Sequence, residues 1–128
     1  MITLANGLDL VEINRFSMIS PKIKVRFCQR VFTEKEIMAS NGNDESFAGK
    51  FAAKEATAKA LGCGIGLIHW HDVEILLDES GKPILYLHGG AEQLAQRNGW
   101  ISWSVSITHT TSTAAAVVTA LLEVPNSG

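Results

Sequence analysis

The segment 44–61, DESFAGKFAAKEATAKAL, constrains this chain more than any other. It is rich in alanine, the strongest helix former, and Gly62 follows where a helix stop belongs, so it predicts one long helix over 44–61. On that helix Phe47, Phe51 and Glu55 share an i, i+4 row. The two aromatics should face the core, which places Glu55 at the rim of something buried. Glu55 and Lys59 stand four residues apart, an order that as a plain surface pair stabilises a helix by only ~0.2–0.5 kcal/mol. A carboxylate can also hold a divalent cation, an ammonium can neutralise phosphate, and the glycines Gly62 and Gly64 let a ligand approach the backbone. Lys50 and Lys54 read as exposed helix charges.

Other elements arrange themselves around this helix. Residues 2–13 read as a strand, with Asp9, Val11 and Ile13 on one face and Leu8, Leu10 and Glu12 on the other. Both faces are mostly apolar, so the strand is expected to be buried, with one carboxylate on each side. One or two short helices, broken near Ser20-Pro21, should fill 14–32. The capping-box pattern Thr33-Glu34-Lys35-Glu36 starts another, which ends at Asn41-Gly42-Asn43-Asp44, a segment that also offers a cap for the next helix. Strands are expected over 71–78 and 84–88 about a turn at 79–83, and a short helix over 91–98. Two last strands, 100–108 and 113–124, flank Thr110-Thr111-Ser112. The order predicts an α+β fold with a largely antiparallel sheet packed on the long helix, as one domain over 1–128.

Composition narrows the class. No apolar run approaches the ~20 residues a membrane helix needs, and the start has no secretory pattern. Cys28 and Cys63 lack metal-type spacing and read as free thiols in a reducing compartment, hence a cytoplasmic protein. The net charge is only −2, yet six of the eleven basic residues (Arg15, Lys22, Lys24, Arg26, Arg30 and Lys35) fall between positions 14 and 35, opposed by Glu34 alone. Such a segment is either a solvated helix face or a surface for an acidic partner.

Asp9 is the first candidate for chemistry. A carboxylate among apolar strand neighbours costs several kcal/mol, on the order given for desolvated ions, unless it is paired, hydrogen-bonded or metal-bound. His109 closes Ser104-Val105-Ser106-Ile107-Thr108-His109-Thr110 where a strand meets a turn, a frequent place for ligand contacts. Gly62-Cys63-Gly64-Ile65-Gly66 is no P-loop, because the GK[ST] ending and the following helix are missing. His69, His71 and His88 have no ligand spacing and are given no site.

Taken together, these segments resemble the holo-acyl-carrier-protein synthase family, the small stand-alone 4′-phosphopantetheinyl transferases. Gly7-Leu8-Asp9-Leu10-Val11-Glu12-Ile13 with Arg15 is similar to the family's amino-terminal motif. The stretch 26–36 is similar to its basic helix and cap, 51–61 to its FAAKEA-x-x-KA motif, 78–83 to its GKP hairpin and 105–110 to its SITHT-type motif. Five motifs in the right order run collinearly from Gly7 to about Val118.

The resemblance implies Mg²⁺-dependent transfer of the 4′-phosphopantetheine arm of coenzyme A to a serine of an apo acyl carrier protein, releasing adenosine 3′,5′-bisphosphate. Mn²⁺ would serve as well as Mg²⁺ on oxygen ligands. It implies a homotrimer with active sites between subunits. Asp9 and Glu55 carry over as metal ligands and, with Lys59, as the catalytic set. Lys50, Lys59, Gly62, Gly64 and His109 carry over as coenzyme A contacts. Arg15, Arg26 and Arg30 carry over to the helix that docks the acidic carrier protein. The base that takes the serine proton is left open between a carboxylate and a metal-bound water. Cys63 stands where the family commonly has threonine, Lys50 where it often has arginine, and the stretch 37–46 is short. Rival readings are a non-catalytic coenzyme A or carrier-binding module and a Mg²⁺-dependent pyrophosphate hydrolase. The first has no need of the carboxylates and Lys59, the second no need of the basic segment. Neither nucleic acid nor membrane is expected as a partner.

Overall fold

A computed structural model describes residues 1–64 and 66–126; Ile65, Ser127 and Gly128 lie outside the described residues. The strand β1 (Ile2–Glu12) leads through α1 (Asn14–Ser17), α2 (Pro21–Val31) and α3 (Glu34–Ser40) to the long helix α4 (Asp44–Leu61). A 3-10 turn (Trp70–Asp72), β2 (Val73–Leu77), β3 (Pro83–Leu87), α5 (Gly89–Arg97), β4 (Trp100–His109) and β5 (Thr113–Glu123) complete the order. All strand pairs are antiparallel, in a three-stranded sheet ordered β1-β5-β4 and a separate β2-β3 hairpin. The α+β arrangement on a long central helix is thus the expected one. Of the one or two short helices expected over 14–32, the structure has two, because Ser20-Pro21 separates α1 from α2.

Helix α4 starts as its sequence suggests. Asn43 Oδ1 accepts from the Ser46 backbone N–H at 2.8 Å, and Gly62 ends the helix at a φ of 75°, where its N–H reaches the last-turn carbonyls. Thirteen of its 18 residues are buried, so it is surrounded rather than amphipathic. One side lies on the sheet. There Gly7 touches the helix backbone: a Cβ at Gly7 would fall 1.9 Å from the Ala56 carbonyl oxygen and 2.8 Å from the Ala60 nitrogen. Alanine on the helix and glycine on the strand are what allow this contact. On the other side Phe16, Phe27, Phe32, Phe47, Phe51 and Trp70 form one aromatic cluster, with Phe51 stacked on Trp70 at 5.2 Å between centroids.

Two expectations fail here. Lys50 and Lys54 are not exposed helix charges but buried, at 3% and 0% exposure. Lys54 Nζ lies 2.8 Å from Glu36 Oε1, donates to the Trp70 carbonyl at 3.0 Å and also meets the Val73 carbonyl. Glu36 is the last residue of the expected capping box: its Oε1 accepts from Thr33 N–H and its Oε2 from Ile75 N–H, each at 2.9 Å. The second failure is β1, which is buried on one face only. Gly7, Asp9 and Val11 turn to α4, whereas Leu8 and Leu10 remain 61% and 66% exposed together with Ile2, Leu4 and, on β5, Val117. Periodicity alone could not show that α4 covers only one side of this sheet.

Removing one member of a buried ion pair strands the other, so Glu36→Ala should lower the unfolding free energy by about 3–5 kcal/mol. Lys54→Met with Glu36→Gln should recover part of that loss. Urea unfolding of the three proteins tests this, and a loss under about 1 kcal/mol would contradict the pairing described here.

Candidate functional site

The contact between β1 and α4 sets the geometry of the site. Asp9, two residues after Gly7, faces the helix; its side chain is 18% exposed. Lys59 reaches across to it, with Nζ 3.0 Å from Asp9 Oδ1 and 2.9 Å from the Leu8 carbonyl. The lysine therefore forms its ion pair with the strand, while its charge is also felt at Glu55 of its own helix. Asp9 meets the stated requirement that a half-buried carboxylate be paired.

Glu55 is half-buried one turn before Lys59. Burial pushes its carboxyl above the usual carboxylate range and the Asp9 charge pushes it further, while Lys59 and Arg15 pull it back. Two carboxylates thus act on each other across the β1–α4 junction, flanked by two cations. Among the described residues no group of three or more His, Cys, Asp or Glu side chains could hold a metal ion. A pair is nevertheless a fitting donor set for Mg²⁺, which takes one or two carboxylates and completes its shell with phosphate oxygens and waters. Mutual repulsion of Asp9 and Glu55 is what a divalent cation there would relieve.

Arg15 is not in the basic helix. It lies on α1, exposed, with its guanidinium 5.4 Å above the Phe51 ring and its charge felt at Glu55. Its position directly after β1 was the available signal. Arg26 and Arg30 are on α2 as expected, and both are exposed. Glu12, the competing carboxylate, is exposed on the outer face of β1.

The remaining candidates lie elsewhere. His109 ends β4; its Nδ1 is 3.6 Å from Glu45 Oε2, a partner sequence reasoning missed because Glu45 looks like a first-turn helix acid. His109 and Lys50 line a cleft of about 430 Å³ with Glu45, Ser46, Gly49 and Pro83. Asp9, Glu55 and Lys59 do not line it. Strand register explains the separation: Asp9 on β1, Ala116 on β5 and Ile107 on β4 form one row, two strand spacings or about 10 Å wide, and His109 is farther along. Gly62 and Gly64 are exposed after α4, with open space around both Cα positions; Ile65 of the same loop lies outside the described residues. Within one chain, then, the candidate residues form a carboxylate–lysine cluster and a separate Lys50–His109 cleft.

The sequence pattern of the 4′-phosphopantetheinyl transferase superfamily matches residues 5–118. The holo-[acyl-carrier-protein] synthase of Herpetosiphon aurantiacus is 42% identical over 122 residues, covering 90% of this chain and 96% of that protein. That of Solidesulfovibrio magneticus is 45% identical over 114 residues, covering 88% and 93%. Among solved structures, the Helicobacter pylori holo-[acyl-carrier-protein] synthase in complex with coenzyme A has 32% identity and a TM-score of 0.81, with 90% of this chain and 98% of that chain covered. The Bacillus anthracis synthase in complex with CoA (3′,5′-ADP) has 32% identity and a TM-score of 0.76, with 96% and 100% covered.

The charge arrangement has a direct consequence in metal-free buffer. Because the Lys59 cation lowers the proton affinity of Glu55, Lys59→Met should move the Glu55 titration upward, read by carboxyl ¹³C chemical shifts. An unchanged or lowered midpoint would mean that Lys59 does not act on Glu55.

Proposed function

The chain belongs to the holo-[acyl-carrier-protein] synthases of the 4′-phosphopantetheinyl transferase superfamily, and we propose that its Asp9–Glu55–Lys59 cluster is the centre at which the transfer occurs. The protein moves the phosphopantetheine arm of coenzyme A to a serine of apo acyl carrier protein. The serine hydroxyl gives its proton to a base as its oxygen attacks the phosphorus next to pantetheine, the anhydride bond on the far side breaks, and adenosine 3′,5′-bisphosphate leaves with the electron pair.

In such a reaction the protein mainly positions reactants and offsets charge. Asp9 and Glu55 would hold Mg²⁺, with Mn²⁺ able to replace it. When bound, the cation neutralises phosphate oxygens and the leaving bisphosphate. Lys59, already at Asp9, supplies the fixed cation for the same pyrophosphate, and Arg15 adds a second positive charge at Glu55. Lys50, Gly62, Gly64 and His109 contact the rest of coenzyme A. The observation that carries this reading is the meeting of two mutually repelling carboxylates and a lysine at one strand–helix contact.

The carrier protein docks on α1 and α2. Arg15, together with Phe16, Met18, Ile19, Ile23 and Phe27, lines a groove of about 470 Å³, and exposed Arg26 and Arg30 lie on the same helix α2. An acidic partner with an apolar ridge suits that combination of charge and exposed hydrophobics. The uncovered apolar sheet face of Ile2, Leu4, Leu8, Leu10 and Val117 is the surface on which three copies assemble. Assembly also accounts for the split candidate site: the Lys50–His109 cleft of one copy completes the carboxylate cluster of its neighbour. Among the described residues no helix is long and apolar enough to cross a membrane. We place the protein in the cytoplasm, as one domain over 1–128, from its free thiols Cys28 and Cys63.

Intact mass of an apo acyl carrier protein, incubated with this protein, coenzyme A and Mg²⁺, should rise by one phosphopantetheine, and EDTA should prevent the rise. Glu55→Gln should reduce the rate on the order of 100-fold or more without unfolding the protein. Near-normal turnover of that variant would remove Glu55 from the metal site. Leu8→Asp with Leu10→Asp should convert a trimer to monomers in light scattering and lower transfer with it; a wild-type monomer would refute the assembly.

A further inference from the structure

Lys50 and Lys54 stand one turn apart on α4 and are both buried, yet they are compensated differently. Lys54 has a carboxylate and two carbonyls. Lys50 Nζ donates to Ser40 Oγ at 2.9 Å and to Ser46 Oγ at 2.7 Å, and among the described residues no carboxylate lies within ion-pair distance of it. A hydroxyl can hold an ammonium without cancelling its charge. Ser46 Oγ also donates to Ser40 Oγ at 3.0 Å, so the three side chains close a triangle across the α3–α4 junction. Ser40 is 2% exposed. The third ammonium N–H has no acceptor among the described residues, and Lys50 with Ser46 forms part of the cleft wall beside His109.

Ser46 sits in the first turn of α4, where an acid is favoured by the helix dipole and where Asp44 and Glu45 already stand. A carboxylate at 46 or 40 would neutralise Lys50 as Glu36 neutralises Lys54. Burial already pushes the Lys50 ammonium below the usual lysine range; Glu36 opposes this and Lys54 adds to it. The missing counter-charge is one an anion in the cleft can supply.

We infer that Ser40 and Ser46 are positioning residues for coenzyme A: their hydroxyls fix the Lys50 ammonium at the cleft wall with its charge uncancelled, ready for a phosphate of the substrate. This rests on the reading of Lys50 as a coenzyme A contact. It adds two residues of the short 37–46 stretch to the determinants of substrate affinity.

The test measures KM for coenzyme A, kcat and Tm for Ser46→Ala, Ser40→Ala with Ser46→Ala, Ser46→Thr and Lys50→Met. The double serine variant should raise KM about tenfold, the effect of losing a hydrogen bond to a charged group, with kcat within about twofold. Ser46→Ala alone should raise it less, and decides the matter if the double variant does not fold. Ser46→Thr keeps the hydroxyl and should retain the wild-type KM. Lower Tm with unchanged KM in the alanine variants would overturn the proposal, as would a Ser46→Thr variant as impaired as Ser46→Ala. A raised KM in Lys50→Met alone defeats the serine role but keeps Lys50 at the substrate. An unchanged KM in Lys50→Met removes both.

Discussion

The buried pair of Lys54 and Glu36 governs the rest of the structure. It joins the amino-terminal cap of α3, the middle of α4, the 3-10 turn and the start of β2 at one point. Each participant would be costly alone: the ammonium and the carboxylate are both fully buried, and Thr33 and Ile75 would otherwise carry unpaired N–H groups. Because Lys54 can be satisfied only in this orientation, the rotation of α4 about its axis is fixed. That rotation sends Glu55, the next residue, to the rim facing β1 and leaves Lys50, one turn earlier, at the cleft wall.

A second constraint acts from the sheet side. With Gly7 against the α4 backbone, strand and helix stand close enough that a short aspartate on the strand meets the long side chain of a lysine on the helix. Asp9 needs no long reach and therefore has little freedom to turn away. Electrostatics follows packing here: the repulsion between Asp9 and Glu55 exists because the backbones touch two residues earlier.

Much of this was legible in the sequence. The α4 boundaries, both of its caps, the capping box at Thr33 and the antiparallel strands follow from local chemistry, and the structure contains them. Asp9 and Glu55 stood out in the sequence because carboxylates interrupt otherwise apolar rows, and the structure brings both to the β1–α4 contact beside Lys59. What was not legible depends on partners distant in sequence. Lys54 looks solvated until Glu36, eighteen positions earlier, is folded beneath it. Lys50 looks the same until Ser40 and Ser46 close around it. The open face of β1 could not be read because an apolar row does not reveal whether its own chain covers it. The resemblance put Arg15 on one docking helix with Arg26 and Arg30, whereas Pro21 begins a new helix and leaves Arg15 behind on α1.

The contact at Gly7 also bears on how such a protein can vary over generations. Most steric conflicts in a core can be repaired by a second substitution that shrinks the neighbour. Here the neighbours are the Ala56 carbonyl oxygen and the Ala60 nitrogen, atoms that every residue possesses. No replacement at 56 or 60 removes them, so a side chain at position 7 has no compensating partner. The inherited solution at this point cannot drift by paired change; it persists only as glycine, or the strand must leave the helix and take Asp9 with it.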